Sequence, residues 1–194
     1  MKFYTIILLV LCWIALIDFA TAKDYSKIKQ AIQESAEKVK VPYYILSKIA
    51  DIESRFNPSA INPIKGSTAK GLFQIIDKSA NRLRKRYKIK GSIFNSKTNS
   101  LMAAYMLKQN VEYLQKKLGR YFEMTPSYYY LTHFLGNYKA YKFIRTKGSN
   151  LGYKVFPKEA RANKGIFYFR NGKPKTIRQI RQFFILKMKK ARIL

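Results

Sequence analysis

Apolar residues recur at helical spacing in one segment after another of this chain, and that periodicity confines it to a mainly α fold. From Asp24 to Lys40 the repeating positions are Ile28, Ala31, Ile32, Ala36 and Val39. In YYILSKIADIESRF they are Ile45, Ile49, Ile52 and Phe56, with Pro42 suited to the first turn. The longest run, SKTNSLMAAYMLKQNVEYLQKKL, turns Leu101, Ala104, Leu107, Val111 and Leu114 inward and stops at Gly119 as at a helix C-cap. PSYYYLTHFLG reads as a further helix ending at Gly136, and YKAYKFIRT as another before Gly148. Residues 57–70 carry two Pro, two Asn and Gly66 and read as a loop. After it, GLFQI is expected to open a short helix that DKSANRLRKRY continues.

Beyond residue 148 the pattern changes. FYFRNGKPKT predicts a small β-hairpin turning at Asn171-Gly172, with Pro174 keeping the return strand at an edge. Thr176 is placed to cap a last helix, IRQIRQFFILKMKK.

At the other end, Lys2, an apolar run from Ile6 to Ile17 and the small-x-small sequence Ala20-Thr21-Ala22 have the form of a secretory signal. The run is shorter than the roughly 20 residues a bilayer span needs, so an uncleaved anchor is the lesser alternative. The expected organisation is a signal peptide over 1–22, one helical domain over 23–147 and a basic extension over 148–194 packed on that domain. Cleavage near Ala22 would deliver the chain to the periplasm or cell wall.

The chain expected after cleavage has no cysteine, and its one histidine is His133. Thiol nucleophiles, disulfides and multi-histidine zinc sites are therefore excluded, and neither a metal nor a cofactor is expected. The formal charge of +29 favours an anionic polymer or surface. Cell-wall glycan bearing carboxylates, an anionic membrane surface and nucleic acid are the partner classes. From residue 124 onward there are 17 Lys and Arg against one acid, Glu159; a solvated face is the ordinary outcome of such a run. In the last helix Ile177, Ile180, Phe184 and Met188 alternate with cations, which suits docking on the domain or lying on an anionic membrane.

Among so few acids, Glu53 stands out at the end of an apolar stripe, followed by the Gly/Pro/Asn loop. A carboxyl packed against apolar groups is disfavoured as the anion and becomes useful as a general acid. Glycosidic bonds require such an acid, usually with a second carboxylate as nucleophile or base. No good second candidate exists: Asp51 points to another helix face, and Asp77, Glu112 and Glu123 sit in strongly polar surroundings.

These residues resemble a family, the soluble-lytic-type transglycosylases related to goose-type lysozyme. The resemblance is carried by Glu53-Ser54, by Gly66-Ser67 and Gly71-Leu72-Phe73-Gln74-Ile75, by Asn99 with Ala103 and Leu107, and by His133-Phe134-Leu135-Gly136. It covers residues 40 to 145. It implies a lysozyme-like helical domain with a glycan groove, cleaving the β-1,4 bond of peptidoglycan between N-acetylmuramic acid and N-acetylglucosamine. It also implies that one glutamate suffices, because the C6 hydroxyl of the muramic acid attacks C1 and leaves a 1,6-anhydro end. Glu53 is then the sole acid and base. Ser54 would orient it or touch the sugar, Gly71 would let the sugar approach the backbone, Gln74 would hydrogen-bond an N-acetyl or hydroxyl group, and Phe73, His133 and Phe134 would line the groove.

There are two departures from the family pattern. Many members have a tyrosine that bonds the glutamate where the glycine alignment places His133, although a phage-like His-Phe-Leu-Gly variant resembles this chain better. The tyrosine of the third motif falls on Met106, with Tyr105 one position off. A lysozyme-type hydrolase of the same bond and a non-catalytic cationic binder of wall, membrane or DNA are the rival readings. The motif set disfavours nucleic acid as the partner. A monomer is expected, with secretion, conjugation or other envelope-spanning machinery as the class of protein partner.

Overall fold

The computed structural model describes residues 25–64 and 66–194; the expected signal over 1–22 lies outside them. Ten helices occur among the described residues. They are α1 (Ser26–Val39), α2 (Tyr43–Ser54), α3 (Asp77–Tyr87), α4 (Ser96–Leu118), α5 (Pro126–Leu135), α6 (Asn137–Arg145), the short α7 (Gly152–Val155), α8 (Pro157–Ala162) and α9 (Lys164–Phe167), and α10 (Ile177–Lys190). No β-strand pairs beyond isolated bridges among these residues.

The long α4 is the central post, with α1, α3, α5 and α6 packed around it. Its start is fixed by Asn95, whose side chain accepts the Thr98 backbone N–H. The inward positions are those the periodicity marks: Ile28, Ile32, Ile45, Ile49, Ala104 and Leu107 join one core.

Two expectations need correction. GLFQI is not the start of a helix. Residues 71–74 form a tight turn closed by an antiparallel bridge from Lys70 to Ile75, and α3 begins only at Asp77. The C-terminal hairpin shrinks to a single bridge between Tyr168 and Pro174. Its Asn171-Gly172 turn is present, with Gly172 N–H donating to Phe169 O at 3.0 Å, but α9 consumes the residues the first strand would need. Thr176 caps α10 as expected, in a reciprocal capping box with Gln179.

The basic extension shares the core. Ile177, Ile180, Phe184 and Met188 are buried, and α10 lies along α5. The last residues then tie onto α2. Tyr43 Oη donates to Leu194 O at 2.5 Å, Leu194 N–H to Ser47 Oγ at 2.9 Å, and Lys48 Nζ to Met188 O at 2.9 Å. Arg192 Nη2 donates to Asp51 Oδ1 at 2.6 Å. Contacts at four residues on successive turns, Tyr43, Ser47, Lys48 and Asp51, thus hold the helix that carries Glu53.

Candidate active site

Glu53 lies in the last turn of α2. That helix stops at two successive left-handed residues, Arg55 (φ 52°) and Phe56 (φ 60°). Left-handed backbone costs a non-glycine residue roughly 1 kcal/mol, and burial of the Phe56 ring with no exposed surface offsets it. The reversal brings residues 60–64 back across the helix end. Glu53 therefore opens into a cleft of about 420 Å³, with Gln74 on one side and an apolar lip of Ile61 and Ile64 on another. Both isoleucines are more than 60% exposed. The apolar faces of sugar rings suit such a lip.

The turn at 71–74 forms the floor. Gly71 adopts φ +76°, and a Cβ there would stand 2.5 Å from Asn99 Nδ2 and 2.7 Å from Ile93 O. Asn99, fully buried in α4, clasps the turn: its Oδ1 accepts the Phe73 N–H at 2.9 Å, and its Nδ2 donates to Ile93 O at 2.9 Å and Lys70 O at 3.3 Å. The clasp and the left-handed backbone by themselves require glycine at position 71. Gln74, itself at φ 45°, reaches the cleft but spends its amide nitrogen on Ala60 O and Gly71 O at 3.1 and 3.0 Å. It braces one wall against the other.

Two side chains of α5, three residues apart and so on one face, look at Glu53. His133 Nε2 stands 3.9 Å from Glu53 Oε1, too far for a hydrogen bond. It is 3.0 Å from the Phe73 carbonyl, which can only accept, so Nε2 carries its proton and donates there. Burial of the ring holds the histidine pKa below its ordinary value, against the opposing pull of Glu53 and of the Phe73 carbonyl. A neutral imidazole follows, with Nδ1 buried and without a partner. His133 packs behind the carboxylate and ties α5 to the turn; it is not the clamp that its alignment with the family tyrosine implied.

Tyr130 comes closer to that task. It is 4% exposed. Burial first, then the charge and hydrogen-bonding of the Glu53 carboxylate beside it, push its hydroxyl pKa well up. A hydroxyl that stays protonated is a donor to the carboxylate.

The other sequence candidates are dispersed. The Ser54 hydroxyl donates to Ala50 O and accepts the Asn57 N–H, both at 3.1 Å, which ends α2. Phe73 is in the core with no exposure; its contribution is the carbonyl that receives His133. Phe134 is not among the residues lining the cleft and packs on Phe184, 5.6 Å between ring centroids. Tyr105 stacks on Tyr87 at 3.8 Å, away from Glu53. Of the groove residues expected from sequence, Glu53, Ser54 and Gln74 line the cleft. Tyr130 was not among them; its three-residue spacing from His133, which puts both on one helix face, is the signal that could have found it.

Among the described residues lining the cleft, Glu53 is the one carboxylate. Elsewhere Asp51 is bound by Arg192, Asp77 by Lys70, Glu34 by Lys97 and Glu159 by Lys139. No group of three or more His, Cys, Asp or Glu gathers into a metal-sized cluster among the described residues. The family model of the transglycosylase SLT domain matches residues 30–147. That span contains α2, the clasped turn and α5, and it ends before α10.

Proposed function

Because the chain belongs to the transglycosylase SLT domain family, whose general function is lytic-transglycosylase-type action on peptidoglycan, we propose that Glu53 is its catalytic acid and base. The observation that carries this reading is the solitude of Glu53: a half-buried carboxyl in an open cleft with no second carboxylate along its lining.

A glycan strand would lie in the cleft with its apolar faces on Ile61 and Ile64 and an N-acetyl or hydroxyl group against the Gln74 amide oxygen. The protonated Glu53 gives its proton to the glycosidic oxygen as the C1–O4 bond breaks, leaving oxocarbenium character at C1. The resulting carboxylate takes the proton of the C6 hydroxyl while that oxygen bonds to C1. The proton is returned, the enzyme is regenerated, and the product carries a 1,6-anhydro ring. Tyr130 holds the carboxylate by hydrogen bond, and neutral His133 adds no competing charge. The apolar run from Ile6 to Ile17 and Ala20-Thr21-Ala22 support export, with the enzyme at work outside the cytoplasm.

Digestion of purified sacculi with mass analysis of the products tests the reaction. Muropeptides with 1,6-anhydro ends are expected. Products heavier by one water would make water the nucleophile, as in a lysozyme. No release at all, together with salt-sensitive binding to DNA, would overturn the enzymatic reading.

A further inference from the structure

Beside the catalytic cleft lies a second opening, of about 580 Å³, lined by Asp51, Ile52, Arg55, Lys187, Lys190 and Arg192. Ile52 and Arg55 line both openings, so the two are neighbours across a shared wall. The second is built largely from the chain end that follows the family match.

Its charge balance is unusual. The one carboxylate, Asp51, is fully engaged: it accepts Arg192 Nη2 at 2.6 Å, Nε at 3.0 Å and the Arg192 backbone N–H at 2.9 Å. Arg192 is in turn fixed over the Phe56 ring at 5.4 Å. That pair cancels itself. Arg55, Lys187 and Lys190 remain: no described carboxylate lies within ion-pair distance of them, and the Lys187 ammonium, 5.6 Å from the centre of the Phe183 ring, has a contact there that leaves its charge uncancelled. Lysines in the last turn of α10 are favoured by the helix C-terminus, which accounts for Lys187 and Lys190 singly. It does not account for Arg55, which comes from the reversal after α2 to face the same opening. Three cations converging on one concavity repel one another unless an anion enters.

Given the reading of the Glu53 cleft as a glycan site, on which this step rests, the anion is already attached to the substrate. Muramic acid carries a peptide on its lactyl group, and that peptide bears free carboxylates. We infer that Arg55, Lys187 and Lys190 form a subsite for the carboxylates of the peptide on the muramic acid seated beside Glu53. The enzyme thereby prefers peptide-bearing glycan to bare glycan.

The test uses soluble glycan strands in two forms, with their peptides and with the peptides removed by an amidase. Wild type is compared with Lys187→Gln/Lys190→Gln, with Arg55→Asn, whose side chain tolerates left-handed backbone, and with Lys108→Gln/Lys116→Gln. The last removes two charges from exposed positions of α4 and controls for the general field. The preference for peptide-bearing strands, read as the ratio of kcat/KM values, should fall about threefold to tenfold in the first two variants, mainly through KM. It should persist in the control. An unchanged ratio in both subsite variants, or an equal fall in the control, would overturn the subsite while leaving the assignment of Glu53 intact. If wild type cleaves neither strand, the reading of Glu53 fails and the subsite fails with it. Thermal midpoints measured alongside identify a variant that has lost its fold, and the other subsite variant then decides.

Discussion

The ring of Phe184, in the C-terminal helix, meets the ring of Tyr130 nearly edge to face, 5.5 Å between centroids with an interplanar angle of 63°. Tyr130 in turn lies near enough to Glu53 for the carboxylate to push its hydroxyl pKa up. A segment beyond the family match thus packs behind a neighbour of Glu53.

Removing that backing should be costly. Phe184 is 2% exposed and also touches Phe134 and Phe143. Phe184→Ala should destabilise the protein by about 3–5 kcal/mol, the usual range for emptying a buried aromatic site. Phe184→Leu should cost less stability yet still lower kcat, because the Tyr130 ring loses its edge contact. Denaturant unfolding and turnover on sacculi measure the two effects. A fully active Phe184→Leu enzyme would separate α10 from the site.

Tyr130→Phe removes one oxygen and keeps the packing. With a donor to a charged group lost, kcat should fall about tenfold, the rate equivalent of one such hydrogen bond. KM and the thermal midpoint should move little if the hydroxyl serves the carboxylate and not the strand. A change confined to KM would place the hydroxyl on the substrate instead.

His133 should make stability depend on pH in a window of its own, for it is the sole histidine in the chain. Burial lowers its pKa in the folded state, so the unfolded chain binds the proton first. The stabilisation is complete above the ordinary histidine value of about 6.5 and is lost as pH falls from there toward the folded pKa. The midpoint of thermal unfolding should therefore drop between about pH 7 and pH 5. In His133→Gln, whose amide can still donate to the Phe73 carbonyl, the slope in that window should flatten. An identical slope in the variant would show that other groups carry it.

The legibility of the sequence followed the physics of each element. Helices with long apolar stripes, α1, α2 and α4, were plain because periodicity is a local property. Glu53 was plain as a candidate because an acid beside such a stripe is rare in a chain this basic. The turn at Gly71 was misread as a helix start because its shape is dictated from 28 residues away by Asn99, whose buried clasp leaves no local trace. The packing of Phe73 and Phe134 was not legible for the same reason: a motif names positions, and only packing decides which way a ring turns. Phe73 faces the core and Phe134 faces α10, a partner the motif does not include. Tyr130 was obscured by Tyr128 and Tyr129, since three neighbouring tyrosines point in three directions and composition cannot choose among them.

One substitution bears on the single acid most directly. Glu53→Gln keeps the shape and hydrogen-bonding capacity of the side chain while removing the proton it must give and take back. Turnover of purified sacculi should fall by about a hundredfold to ten-thousandfold, with the thermal midpoint and sacculus binding retained. Anhydro-muropeptides released by the folded variant at the wild-type rate would contradict the assignment of Glu53 as acid and base.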